Sequence, residues 1–281
     1  MKAYFQLLRP HQWLKNLMLL FPPFLGGTLL GGHYSSGQLL WPLVAFCLGS
    51  SATYIVNDIC DVEQDRLHAR KKHRPLAAGR IGVRLAVVLA VVFAAGAVAG
   101  AWWVSARFLV FLLLYLGVSL VYSLWLKDMP LVELFCVVSG FLLRLLAGGE
   151  AYGVAISDWL FLSVFLLALF LVSGKRLSEL RHEGGEAPER IRSVLACYPQ
   201  GFLEGCMLLS GSAVLVTYTM YVISHQSTIW VIPLSCFGLL AFWRRVLSGR
   251  GGDPTRALLM DPCLFIAGVG WVVVVGWSVY G

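Results

Sequence analysis

The stretch Asn57-Asp58-Ile59-Cys60-Asp61-Val62-Glu63-Gln64-Asp65-Arg66 holds the residue types and spacing from which chemistry could be built. If the helix that starts in the apolar run Trp41 to Val56 continues through it, Asp58, Asp61 and Asp65 fall at i, i+3 and i+7 and share one face, while Glu63 points elsewhere. Three like charges within two turns repel one another, so the arrangement makes sense around a cation. An oxygen-only ligand set favours Mg²⁺ over zinc, and Mg²⁺ usually keeps a phosphate among its other ligands. A basic run follows at once: Arg66, Arg70, Lys71, Lys72 and Arg74. Carboxylates for Mg²⁺ beside cations for phosphate oxygens describe a diphosphate site. The plainer reading of acidic residues at a helix end, a solvated cap, leaves that basic run unexplained.

The elements that must position these groups are apolar. Of 281 residues 58% are hydrophobic and 13% charged, with a mean hydropathy of +0.76, which excludes a soluble globule and implies a polytopic membrane protein. Long apolar runs near 13–32, 38–56, 83–104, 107–126, 130–149, 157–174, 201–224, 228–247 and 261–280 predict nine transmembrane helices, an all-α membrane protein formed as a single domain over 1–281. Met1 to Lys15 lacks the pattern of a cleavable signal peptide. With the amino terminus cytoplasmic, every Lys and Arg of the 22 except Arg107 and Arg144 lies in a cytoplasmic segment, as the positive-inside rule requires. The net charge of +7 therefore faces anionic headgroups and anionic substrates, and no nucleic acid is implied. The seven cysteines form no C-x-x-C pair, which speaks against a zinc site or a disulfide framework.

Other polar segments fall on the same predicted side. Leu8 to Asn16 combines Trp13 and Lys15, which fit an interface anchor, with Gln12 and Asn16, which suit a lipid phosphate. Pro75 and Gly79 shape the basic run into a loop that can wrap a ligand. Tyr122 and Lys127 sit at a tight turn facing the aspartates. Glu133 and Arg144 lie inside one predicted span, about 16 Å apart at 1.5 Å per residue, so they are not direct partners. Each must face the bundle interior, and Arg144 is deep enough that a structural pairing is expected of it. After the sixth span, Lys175, Glu179 and His182 share a helical face and Arg176 and Glu183 lie seven apart. A mixed-charge helix end explains that as well, but two charged cytoplasmic loops facing each other would enclose a polar chamber. The segment Trp243 to Asp261, with Gly249, Gly251, Gly252 and Asp253-Pro254, is read as a flexible surface connection.

The motif N-D-x-x-D-x-x-x-D after the second of nine helices resembles the first signature of the UbiA superfamily of intramembrane prenyltransferases. The likeness runs nearly end to end and is nearest to the branch that transfers phosphoribose to decaprenyl-type phosphates. It is carried by Arg9 to Asn16, Asn57 to Gly79, Tyr122-Ser123 with Lys127, Gly140 to Arg144, and Lys175-Arg176-x-x-Glu179-Leu180. It implies a UbiA-like bundle around a cytoplasm-facing chamber, capped by loops at about 57–82 and 175–200. Where a typical member has a second aspartate-rich segment, this chain has Lys175-Arg176-Leu177-Ser178-Glu179. Trading carboxylates for cations suits a donor with an additional phosphate, and phosphoribosyl diphosphate carries a 5-phosphate that a prenyl diphosphate lacks.

The expected reaction is Mg²⁺-dependent transfer of 5-phosphoribose from phosphoribosyl diphosphate to a polyprenyl phosphate in the cytoplasmic membrane. Asp58, Asp61 and Asp65 are the metal and catalytic residues, and Asn57 orients them. Arg66, Lys71, Lys72 and Arg74 neutralise the leaving group. Lys175, Arg176 and Glu179 take the 5-phosphate and sugar hydroxyls, and Gln12, Lys15 and Asn16 the lipid phosphate, with Tyr122 and Lys127 as further contacts. A homo-oligomer is compatible with all of this. The rivals are a prenyltransferase acting on an aromatic acceptor, and a transporter, which the clustering of polar groups at one face argues against.

Overall fold

The computed structural model describes residues 2–68, 71–182, 193–249 and 253–281. Arg70, Glu183 to Gly185, Arg190, Arg192, Arg250, Gly251 and Gly252, and with them much of the predicted 175–200 loop, lie outside these. Among the described residues the regular structure is all helical, with no strand: α1 (Lys2–Leu8), α2 (Phe21–Leu25), α3 (Ser36–Cys60), α4 (Val62–Leu67), α5 (Val83–Val104), α6 (Ala106–Leu124), α7 (Val132–Ala151), α8 (Asp158–His182), α9 (Phe202–Ser224), α10 (Val231–Leu247), α11 (Pro254–Met260) and α12 (Pro262–Tyr280).

Seven of these, α3, α5, α6, α7, α8, α9 and α12, are long and apolar enough to cross a membrane. Two of the nine predicted runs take another form. The run at 228–247 becomes α10, a helix of 17 residues. The run at 13–32 is not one helix, because Pro10 to Leu20 is a 3-10 helix and Pro22-Pro23 open the short α2. Irregular backbone is tolerated at membrane depth where protein covers it, and Gln12, Asn16 and Leu19 of this segment are buried.

Helices α3, α7 and α8 are the most enclosed and form the centre. The outer helices turn rows of large apolar side chains outward, such as Val87, Val88, Val91 and Val92 on α5. In water those rows would be a liability, whereas against lipid they are the expected surface. Small residues allow close approach between α3 and α5: a side chain added at Gly49 would sit 3.6 Å from the Ala97 Cβ, and one at Gly100 3.5 Å from the Ala45 Cβ. This is how helices associate where lipid removes the hydrophobic drive.

The nearest approach is that of the 3-10 segment to α7. A Cβ on Gly148 would lie 2.2 Å from the Leu19 carbonyl oxygen, so the backbone of the amino-terminal segment rests directly on this glycine. Gly148→Ala is expected to lower stability by about 1–3 kcal/mol, the usual cost of overpacking. Thermal unfolding in detergent reads this against Gly117→Ala, where a Cβ meets nothing within 4 Å.

Candidate active site

The aspartate segment does not continue α3 unbroken. The helix stops at Cys60, Asp61 takes φ −95° and ψ 3°, and α4 restarts at Val62. Aspartate side chains favour such breaks because they compete with the helical backbone. Helical phase nevertheless survives, because Asp61 N–H donates to the Asn57 carbonyl at 2.9 Å and Asp65 N–H to the Asp61 carbonyl at 2.8 Å. Asp58, Asp61 and Asp65 all remain buried, Asp58 and Asp65 to 2% and 3% exposure.

Each carboxylate has a cationic partner from elsewhere in the chain. Arg74 Nη1 donates to Asp58 Oδ1 at 3.2 Å and to Asp65 Oδ2 at 2.6 Å, so one guanidinium nitrogen stands between two aspartates. Arg9, not among the predicted site residues, pairs with Asp58 and lies over the Tyr54 ring, 5.2 Å from its centroid. Lys127 Nζ donates to Asp61 Oδ1 at 2.5 Å, and Asn57 Nδ2 to Asp61 Oδ2 at 2.8 Å. The predicted loop geometry is present as well: Arg80 and Ile81 N–H groups donate to the Pro75 carbonyl and Gly79 has φ +68°. Arg66 turns away, donating to exposed Glu63 at 2.8 Å. Lys72 is exposed and Lys71 half-buried on a 3-10 turn, so the structure brings Arg74, but not Arg66 or Lys72, onto the aspartates.

The amino-terminal segment runs antiparallel along α3. Arg9 meets Asp58, Gln12 Oε1 accepts from the Tyr54 hydroxyl at 3.3 Å, Trp13 Nε1 donates to Ser51 Oγ at 3.0 Å, and Asn16 Nδ2 donates to Ser50 Oγ at 3.2 Å. Asn16 also accepts from Arg144 Nε at 2.8 Å. Arg144 further donates to the Gly140 carbonyl and the Tyr115 hydroxyl at 2.7 and 3.0 Å, with its guanidinium 4.4 Å from the Tyr115 ring centroid. Its structural pairing is thus to neutral acceptors. Asn16 is a pin between α3 and α7.

Two further clusters complete the arrangement. Arg176, expected at the phosphate, is buried against Glu133: Nε donates at 2.8 and 3.0 Å and Nη2 at 2.6 Å, while Nη1 donates to Glu179 at 2.8 Å and Nη2 to Tyr122 at 3.3 Å. Glu133, near the start of α7, thereby finds its partner on α8. The second cluster centres on Asp253, in the segment expected to be a plain connection. Its Oδ1 caps α11 through Thr255 N–H at 2.9 Å, and its Oδ2 accepts from Gln12 Nε2 at 3.1 Å and pairs with Lys15 Nζ at 3.6 Å. Burial pushes the Asp253 carboxyl up, but Lys15, Lys175 and the Gln12 and Thr255 hydrogen bonds outweigh it and hold the group well below the usual carboxylate range. The Asp-Pro pair ahead of a helix was the available signal.

These clusters lie at one end of the bundle. Tyr122 and Lys127, five residues apart, reach Arg176 and Asp61 respectively. A chain of contacts runs from Asp58 through Arg9, Tyr54 and Gln12 to Asp253, where the field of Lys175 is felt.

Among the described residues, no three His, Cys, Asp or Glu side chains converge into a ready-made metal cage. The donor chemistry still fits Mg²⁺, which takes one or two carboxylates together with phosphate and water oxygens rather than a full protein cage. Asp58 and Asp65 already flank a single cationic nitrogen, as they would flank a metal.

The chain belongs to the UbiA prenyltransferase family, whose model matches residues 19–269. It is 34% identical to the decaprenyl-phosphate phosphoribosyltransferase of Mycobacterium tuberculosis over 97% of this chain and 92% of that one. It is 33% identical to the enzyme of the same name from Corynebacterium glutamicum, over 97% and 85%. In fold it is similar to a UbiA homologue from Archaeoglobus fulgidus bound to GPP and Mg²⁺, with a TM-score of 0.77 at 20% identity over 99% of both chains. Membership and the apolar helices together make this an integral membrane protein.

Removing one partner of the buried Arg176–Glu133 pair is expected to cost about 3–5 kcal/mol, more than replacing both with apolar residues. Thermal unfolding of Arg176→Met should therefore fall well below that of the Glu133→Leu/Arg176→Met double variant.

Proposed function

We propose that this protein transfers 5-phosphoribose from phosphoribosyl diphosphate to a polyprenyl phosphate. The observation that carries the reading is the distribution of charge. The three aspartates are matched by Arg9, Arg74 and Lys127, while Lys15, Lys175 and Arg144 have near them only Asp253, paired with Lys15, and Glu179, which Arg176 shares, so that positive charge is in excess there. A prenyl donor has no anionic group for that second region. A donor with a 5-phosphate, used with a phosphate-headed acceptor, has two. The identity to named phosphoribosyltransferases supports the same reading.

In this scheme Asp58 and Asp65, with Asp61, would hold Mg²⁺ for the diphosphate, and Asn57 keeps the Asp61 carboxylate turned. Mg²⁺, when bound, supplies neutralisation of the leaving diphosphate. Arg74, Arg9 and Lys127 sit against the carboxylates and hold the diphosphate charge in the same place. Lys175 takes the 5-phosphate. Arg176 fixes Glu179, whose carboxylate accepts from sugar hydroxyls. Lys15 and Gln12 take the lipid phosphate, with Asn16 bracing the segment from behind. The C1–O bond to diphosphate breaks with its electron pair leaving on diphosphate, oxocarbenium character develops at C1, and a lipid phosphate oxygen forms the new bond on the opposite face. Positioning and electrostatics carry such a step, and no covalent enzyme intermediate is needed.

The charge asymmetry of the loops supports a cytoplasmic amino terminus and an active site opening to the cytoplasm through a polar chamber. In this reading the 13–32 and 228–247 segments also cross the bilayer, giving nine crossings of one domain in the cytoplasmic membrane.

Purified protein supplied with labelled phosphoribosyl diphosphate and a polyprenyl phosphate should place label in lipid. Labelled prenyl diphosphate with an aromatic acceptor should not, and the reverse result would overturn the proposal. Chelation of Mg²⁺ should abolish transfer and readdition restore it. Asp58→Ala and Asp61→Ala should each lower kcat by about 10²-fold or more, the scale on which loss of a key electrostatic group is felt.

A further inference from the structure

Asp253 is held in a way a loop residue is not. Its carboxylate is largely enclosed, with 15% of the side chain exposed, and its two oxygens have separate tasks. Oδ1 caps α11, whereas Oδ2 faces Gln12 and Lys15 from a segment more than two hundred residues earlier. A cap alone would leave the second oxygen in water. Gln12 is in turn fixed at its other end by the Tyr54 hydroxyl, one helical turn from Asp58. Lys15 would otherwise carry four methylenes of freedom, and a flexible ammonium is a poor fixed point for a phosphate. The charge of Lys175 bears on the same carboxylate as well.

From this geometry we infer that Asp253 is a positioning residue. Through Gln12 and Lys15 it fixes where the acceptor phosphate sits. The inference rests on the proposed assignment of Lys15 to the lipid phosphate, and it assigns a task in the site to the residue that opens α11.

Asp253→Asn separates this from capping, because asparagine caps a helix as well as aspartate does but carries no charge for Lys15. The expected result is a melting temperature lowered less than in Asp253→Ala, which loses the cap as well as the charge, a KM for a short-chain polyprenyl phosphate raised about tenfold and a kcat altered much less, the pattern of lost uniform binding. Lys15→Met should raise the same KM, and the double variant should be no worse than Lys15→Met alone, since neighbours that act through one another are not additive. Thermal shift by the short-chain polyprenyl phosphate alone, without donor or turnover, should weaken in the same three variants. That binding measurement separates failure of the proposed reaction from failure of this inference. If Asp253→Asn binds and turns over as the wild type does while Asp253→Ala merely melts earlier, Asp253 is a cap and nothing more. Additive penalties for Lys15→Met and Asp253→Asn would equally overturn the inference.

Discussion

A charge enclosed in a bundle that lipid surrounds must find its partner inside the protein, and this requirement shapes the whole polar end of the molecule. Its buried carboxylates are answered from other elements. The Asp58 and Asp65 carboxylates of α3 and α4 are answered by Arg9 ahead of the first apolar run and by Arg74 ahead of α5, and Asp61 by Lys127 after α6. Glu133 of α7 is answered by Arg176 of α8, and Asp253 before α11 by Lys15. Each pair is a tie between elements remote in sequence, so the pairings that make burial tolerable also bring the reactive groups together.

The amino-terminal segment is the piece that joins these ties. In this 3-10 helix Gln12, Asn16 and Leu19 form a buried line of contacts. That line needs α3 on one side, where Tyr54, Ser51 and Ser50 receive it, and α7 on the other, where Gly148 gives it room and Arg144 bonds to Asn16. The deep guanidinium therefore acts on the site from behind, bracing the segment whose forward face carries Lys15.

What could be read from the sequence follows from the range of the interactions. The aspartate spacing, the shaped Pro75–Gly79 loop and the fact that Glu133 and Arg144 do not pair with each other follow from local spacing, and all appear in the structure. The break at Asp61 was not legible, because helical spacing looks the same whether or not one residue leaves helical φ and ψ. The 3-10 form of the first run was hidden in a composition that hydropathy scores as any other apolar stretch. The tasks of Arg9, Tyr54 and Asp253 were not legible for another reason: their partners lie about 40 to 240 residues away, and a local pattern such as Asp253-Pro254 signals a helix start but not a partner.

The Lys175-Arg176 pair shows how adjacent residues of one type come to differ. Successive side chains on a helix project about 100° apart, so the two cations at the end of α8 cannot face the same way. Arg176 turns inward, where its planar fork meets the Glu133 carboxylate through three hydrogen bonds and Glu179 through a fourth, a geometry that a lysine could not reproduce. Lys175, half-buried, is near enough to act on Asp253. An ammonium on a flexible stem suits a phosphate whose position is set by other groups, and a guanidinium suits a carboxylate whose position it must itself set. The two neighbouring cations thus divide their tasks: the inward one locks α6, α7 and α8 together through Tyr122, Glu133 and Glu179, and in the proposed scheme the other is left for a phosphate.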